Sequence, residues 1–237
     1  MERTFKLKTN YYDERKLFKH NTVTIKDGIT VLIGCNGSGK STLLRHIDNA
    51  LVREEIPCFL YNNIDNVKHG VSDAVYHNNF ELASSLWTAS EGESISINIM
   101  SMSDKLTKFV EHGTIAINRI ADILSGEKKA EITTNERWIL FDALDSGYSI
   151  DQVRDMKELL LHDLYDEGTK DGYDIHIVIS CNEYELARNE QCLNVIECKY
   201  VDISSYDKYA KEIMNTRKYK DLSWERYSKK LEKEDPR

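Results

Sequence analysis

Hydrophobic positions along the chain fall into two kinds of pattern. The first is the short continuous run: Ile29-Thr30-Val31-Leu32-Ile33, Trp138-Ile139-Leu140-Phe141 and Ile175–Ile179. Runs this short, rich in branched and aromatic side chains, suit strands buried on both faces of a parallel sheet. The second recurs every three or four positions. Leu43, Leu44, Ile47 and Leu51 form one such stripe; Ile95, Ile99, Met102, Leu106 and Phe109 form another; Val153, Met156, Leu160 and Leu164 form a third. These are the apolar faces of amphipathic helices. The second helix is predicted from near Ser94, although Ile95–Ile99 also alternates as a strand would. The third opens at Ser149, with Gln152 at the capping-box spacing.

Shorter signals fill the intervals. Phe5–Lys8, Val23–Ile25 and Cys58–Tyr61 read as strands, and Leu193–Ile196 and Tyr200–Ile203 as a pair turning at Cys198-Lys199. Phe80–Trp87, Glu183–Glu190 and Tyr206–Met214 read as helices. Ile117, Ile120 and Leu124 suggest one more short helix, and Ser125–Glu136 reads as exposed. Leu222, Trp224, Tyr227 and Leu231 are expected to anchor a C-terminal helix. Strands alternating with helices predict an α/β fold with a mostly parallel sheet. Proline occurs only at positions 57 and 236, so the chain offers no Pro-rich linker and no clear domain boundary. One domain over 1–237 is expected, with a helical subregion at 62–137 and a helical extension at 204–237.

Between the first buried run and its helix lies Gly34-Cys35-Asn36-Gly37-Ser38-Gly39-Lys40-Ser41. This matches G-x-x-x-x-G-K-S/T, in the strand-loop-helix context the motif requires. Gly37 and Gly39 permit backbone angles that turn successive amides inward, where they surround phosphate oxygens. The following helix adds its unpaired N-terminal amides. Lys40 is expected at the β- and γ-phosphates, Ser41 at Mg²⁺, and Thr42 at the helix start beside the α-phosphate. Asp142 ends the second buried run. A carboxylate there carries a large desolvation cost unless it holds a cation or strong hydrogen bonds, so it is the second magnesium candidate. The expected cofactors are ATP and Mg²⁺.

Composition narrows the partners. Net charge is -8, from 32 basic and 40 acidic residues. That speaks against a uniformly basic nucleic-acid binder, while a local basic groove stays open. No apolar run is long enough to cross a bilayer, and no signal peptide is expected after Met1. The five cysteines are odd in number and form no Cys-x-x-Cys pair. A reducing cytoplasm, rather than a disulfide framework or zinc knuckle, fits them. Cys35 sits inside the phosphate loop, where a lone thiol is weak ground for redox control.

The loop from Gly34 to Leu44, with Asn36 between two glycines, resembles the Walker A segment of ATP-binding-cassette ATPases. It is closest to their soluble branch of SMC and RecF-like heads. Ile139-Leu140-Phe141-Asp142 resembles the Walker B strand, and Ser146-Gly147-Tyr148-Ser149 the D-loop. Ser90-Glu91-Gly92-Glu93 fits the signature, and also forms a capping box; Leu124-Ser125-Gly126-Glu127 is a competing match closer to Asp142. The resemblance implies a P-loop fold in which Ser90 and Gly92 contact ATP held by a second copy. It further implies an ATP-state head-to-tail homodimer that hydrolysis releases and that acts on a protein partner or a DNA-linked process.

Departures from the family pattern point to slow hydrolysis. Ala143 stands where the family has a water-orienting glutamate. Asp145 either replaces it or serves as a turn acid. Asn182 stands at the switch histidine and cannot become cationic near neutral pH. No glutamine matches the Q-loop; Asn62 or Asn63 is the nearest stand-in, and Tyr11 or Tyr12 the nearest adenine-stacking ring. Lys40, Asp142, Asp145 and Asn182 are thus the candidate catalytic residues. An alternative is an ATP-dependent regulatory module with negligible turnover. The ATP-binding subunit of a membrane transporter is disfavoured by the short interval between Lys40 and Ser90.

Overall fold

The structure is a computed structural model and describes residues 2–7, 10–11, 15–62, 91–113 and 134–234. The strands are β1 Arg3–Lys6, β2 Asn10–Tyr11, β3 Arg15–Lys16, β4 Thr22–Ile25, β5 Gly28–Ile33, β6 Cys58–Asn62, β7 Glu136–Asp142, β8 Asp174–Ser180, β9 Gln191–Asn194 and β10 Lys199–Val201. The helices are α1 Lys40–Arg53, α2 Glu91–His112, α3 Ile150–Met156, α4 Asp163–Lys170, α5 Tyr184–Ala187 and α6 Tyr206–Glu234. A π-helical stretch, Lys157–His162, joins α3 to α4 without a break.

Six strands form the central sheet in the order β10-β9-β5-β8-β7-β6. All neighbours pair in parallel except the β9–β10 edge. The three continuous apolar runs became its three central strands, β5, β8 and β7. Their side chains alternate between two cores, as the two-residue strand period demands. Ile29, Val31, Ile33, Ile139, Phe141, Ile175, Ile177 and Ile179 face a core shared with α2, α3 and α4. Leu32, Trp138, Leu140 and Val178 face a second core with α1 and the small β1–β4 sheet. Among the α2 side chains described, Met102, Leu106, Phe109 and Val110 are buried. Each contributes about 1.5–3 kcal/mol by burial.

Several expectations need correction. Glu136 is the first residue of β7 and is buried, where exposure was expected. Its carboxylate takes two hydrogen bonds, 2.8 and 3.1 Å, from the Arg3 guanidinium, which ties β1 to the central sheet. The helix expected over Glu183–Glu190 is a single turn, α5, ended by Asn189 at φ 64°. The β9–β10 pair lies earlier than expected and turns through positions 195–198, with Cys198 at φ 51°. The two C-terminal helical segments are one helix, α6. Its docked face includes Tyr209, Ile213 and Thr216, while Leu222 and Trp224 are 43% and 48% exposed, and Trp224 stacks on Tyr227 of the same helix. Capping by Ser149 and Gln152 is present, and Gln152 Oε1 accepts from the Ser149 amide at 3.0 Å.

The helix expected at 80–87, the one around 117–124 and most of the 62–137 subregion lie outside the described residues. Among the described residues, no helix is long and apolar enough to cross a membrane.

Candidate functional site

β5, β7 and β8 are adjacent and parallel, so their carboxyl ends open on the same edge of the sheet. Open α/β sheets bind ligands at that edge. The loop after β5 turns at once into α1. Gly37 has φ 75°, and Gly39, the residue before α1, has φ 103°. Both angles are strained for any residue with a β-carbon. Gly34 is required for a different reason. A β-carbon there would stand 2.4 Å from Ser38 Oγ and 2.8 Å from Val195 Cγ1. No acidic residue occupies the first turn of α1, so no carboxylate competes for its amides. Ser38 Oγ is buried in this loop and has no hydrogen-bond partner.

Lys40 is the first residue of α1 and is only 8% exposed. Its ammonium donates to Gly34 O at 2.6 Å and to Asn182 Oδ1 at 3.2 Å. Burial lowers its pKa; the nearby acidic groups of Cys181, Cys35, Asp145 and Asp142 oppose that shift. The lysine therefore spans the loop after β5 and the loop after β8. Ser41 and Thr42 follow in the first turn of α1.

Asp142 ends β7. Its Oδ1 accepts from Ser41 Oγ at 2.9 Å and from Ser180 Oγ at 2.7 Å. Ser180 Oγ in turn accepts from the Ala143 amide at 3.1 Å. Ala143 itself sits at φ 54°. Ser41 Oγ and Asp142 Oδ1 are hard oxygen donors side by side, and Mg²⁺ favours such donors together with phosphate and water oxygens. These residues fit the ion. Among the described residues no group of three or more His, Cys, Asp or Glu side chains forms a metal cage of its own.

Asp145 is 6% exposed and faces the loop after β8. Its Oδ2 accepts from the amides of Asn182 at 2.6 Å and Glu183 at 2.7 Å. It braces the segment that carries Asn182. Its second oxygen, Oδ1, is buried without a partner. Asn62, one of the two expected stand-ins for the Q-loop glutamine, ends β6 in register with Asp142.

The structure thus brings Asn36, Gly37, Ser38, Gly39, Lys40, Ser41, Thr42, Asp142, Asp145 and Asn182 to one edge. Gly92 lies in the first turn of α2. Ser90, Asn63 and Tyr12 lie outside the described residues, while Tyr11 is in β2. Sequence reasoning missed Ser180, although a polar residue closing an apolar run was a usable signal. It also missed α6. Tyr209 Oη donates to Asn182 O at 2.6 Å, Thr216 Oγ1 accepts from the Cys35 amide at 2.9 Å, and Lys220 Nζ donates to Asn36 O at 2.8 Å. Nothing in the local pattern of 206–234 marks those three positions.

Compared with protein-family profiles and with curated proteins, the chain matches none.

Proposed function

We propose that this chain is a MgATP-binding phosphate-loop protein of the ATP-binding-cassette type, a slow ATPase switch that pairs head to tail with a second copy in its ATP state. The observation that carries the reading is the convergence of Lys40, Ser41, Asp142 and Asn182 at neighbouring strand ends. A cationic side chain, a hydroxyl–carboxylate pair and an amide acceptor on one phosphate loop form a set suited to a nucleoside triphosphate with its metal.

In this reading Lys40 supplies a point charge to the terminal phosphates. The loop amides and the first turn of α1 hold the remaining phosphate oxygens. Ser41 and Asp142 contribute oxygen ligands to magnesium, which neutralises phosphate charge when bound. Asn182 reports the terminal phosphate through its amide. Hydrolysis then proceeds through positioning and electrostatics. The pairing of two copies rests on the resemblance around Gly92, at the start of α2. ATP bound only in the closed pair would stabilise that pair by mass action. A protein partner or a DNA-linked process would receive the switch. The cytoplasm suits the five free cysteines. Burial pushes the Cys181 thiol well up and Cys192 up to about 12, which makes both inert at neutral pH.

A second reading, ATP-dependent binding with negligible turnover, is favoured by Ala143 and by the engagement of Asp145 Oδ2 with two main-chain amides.

Calorimetry with MgATP on the wild-type chain and on Lys40→Ala tests the nucleotide reading. The variant is expected to lose roughly tenfold or more in affinity while a denaturant titration still shows a cooperative fold. Heat-silent mixing of wild type with MgATP, together with no change in its melting temperature, would overturn it. Sedimentation of wild type and Gly92→Asp in MgATP tests pairing separately. Equal dimerisation of the two removes the head-to-tail arrangement.

A further inference from the structure

The nucleotide reading leaves α6 unused, although this helix crosses the phosphate loop. It touches the site at Tyr209, Thr216 and Lys220. Steps of seven and four residues keep all three on one helical face. Thr216 is only 2% exposed and bonds the Cys35 amide, so the helix is pinned to the loop one turn before Lys220. The placement of Lys220 is therefore set by buried contacts and not by a free surface chain.

Lys220 Nζ donates to Asn36 O at 2.8 Å, and a β-carbon at Gly37 would lie 3.6 Å from it. The ammonium rests against the crest of the loop. The adjacent acid, Asp221, is held by Arg217 at 3.1 Å, and among the described residues no carboxylate pairs with Lys220. One loop thus carries two ammonium groups on two of its carbonyls: Lys40 on Gly34 O and Lys220 on Asn36 O. A neutral carbonyl is a weak partner for an ammonium compared with a phosphate oxygen. Lysine is a compact charge on a flexible stem, so a small swing exchanges one partner for the other.

Asn36 lies in the middle of the loop, four residues before Lys40, where α1 begins. A phosphate chain laid along the loop with its α-phosphate at α1 brings its terminal phosphate to the Asn36–Gly37 crest. We propose that Lys220 is a second phosphate-directed cation, delivered by the C-terminal helix to the terminal phosphate of a bound nucleoside triphosphate. This rests on the MgATP reading. It assigns α6 a direct part in telling the triphosphate from the diphosphate.

The test is calorimetry of the full chain with a non-hydrolysable magnesium ATP analogue and with MgADP. Wild type, Lys220→Ala, Lys220→Arg and Thr216→Val are compared, each with its denaturation midpoint. Lys220→Ala is expected to lose about tenfold in affinity for the triphosphate and less than about twofold for MgADP. Lys220→Arg keeps the charge and is expected to keep the discrimination. Thr216→Val loosens the loop and is expected to weaken both nucleotides together. If Lys220→Ala matches wild type for both, or loses both equally, Lys220 is a strap and the proposal is wrong. If wild type binds neither nucleotide, the reading beneath it fails as well, which separates the two failures.

Discussion

Ser41 Oγ and Asp142 Oδ1 lie 2.9 Å apart, although 101 positions separate them in the chain. Parallel pairing of β5 with β8 and of β8 with β7 closes that separation. It sets the end of the loop strand level with the end of the acid strand. Ser180, at the end of the intervening β8, accepts from the Ala143 amide and donates to the same Asp142 oxygen. The hydroxyl–carboxylate pair thus joins the first turn of α1 to the end of β7, with Ser180 of β8 holding the same carboxylate oxygen.

Ser41→Ala removes one of the two hydroxyls on Asp142. Stability is expected to fall by about 0.5–1.5 kcal/mol, since Ser180 still donates. Nucleotide binding is expected to change in a specific way: the gain in ATP affinity on adding magnesium shrinks, while metal-free binding is little altered. Calorimetry with and without magnesium measures this. An unchanged magnesium dependence would remove Ser41 from the metal site.

Gly34→Ala tests the packing beneath the loop. The added carbon meets Ser38 Oγ at 2.4 Å and Val195 Cγ1 at 2.8 Å, so either the loop or β9's following turn must move. Overpacking of this kind costs about 1–3 kcal/mol. A urea titration is expected to show a lower midpoint with an unchanged slope. Nucleotide affinity should fall alongside, because the shifted residue is the one that shapes the cage.

The central sheet was legible because its three buried runs are apolar on both faces and have no competing period. The glycine-rich turn between β5 and α1 was legible for a related reason: glycines at Gly37 and Gly39 are dictated by local backbone angles, which sequence records directly. Asp142 could be read from the apolar approach before it. Glu136 could not, because its burial is balanced by Arg3, a residue distant in sequence. The contacts of α6 with the loop were hidden for the same cause. Thr216 and Lys220 meet main-chain atoms of the loop, and a main-chain partner leaves no pattern in the residues around it. Leu222 and Trp224 are about half exposed, because helical spacing reports a face without reporting how deeply it is covered.

His176 gives a pH dependence away from the Lys40–Asp142 cluster. It is fully buried on β8 and stacked on Trp138, with ring centroids 4.1 Å apart. Its Nδ1 faces Lys26 O at 3.4 Å and its Nε2 has no partner. Burial lowers its pKa from 6.5, so the folded state keeps the neutral ring. Below pH 6.5 the unfolded chain takes up a proton that the folded chain refuses. Stability therefore falls as pH drops, from 6.5 down to the lowered folded value, by up to about 1.4 kcal/mol per pH unit. Denaturant midpoints of wild type and His176→Phe between pH 7.5 and 5 check this. The difference between them is expected to shrink or reverse in favour of the variant as pH falls; parallel curves would contradict it.

Asp145 separates the two enzymatic readings. Its Oδ2 already accepts from the Asn182 and Glu183 amides, so that oxygen is not free to take a proton from water. Asp145→Ala leaves both amides without their acceptor and is expected to cost roughly 2–4 kcal/mol, with weaker nucleotide binding as Asn182 loses its position. Asp145→Asn retains a carbonyl oxygen for the two amides but has no basic oxygen left. If Asp145 is a brace, the Asn variant keeps more stability than the Ala variant, and its single-turnover phosphate release stays within about threefold of wild type. If Asp145 activates water, release in the Asn variant falls by about a hundredfold or more while binding and stability hold. The hydrogen bonds to both amides make the brace the expected outcome. Turnover in this protein would then rest on Lys40, the magnesium ligands and the order they impose on water, with no side chain acting as base.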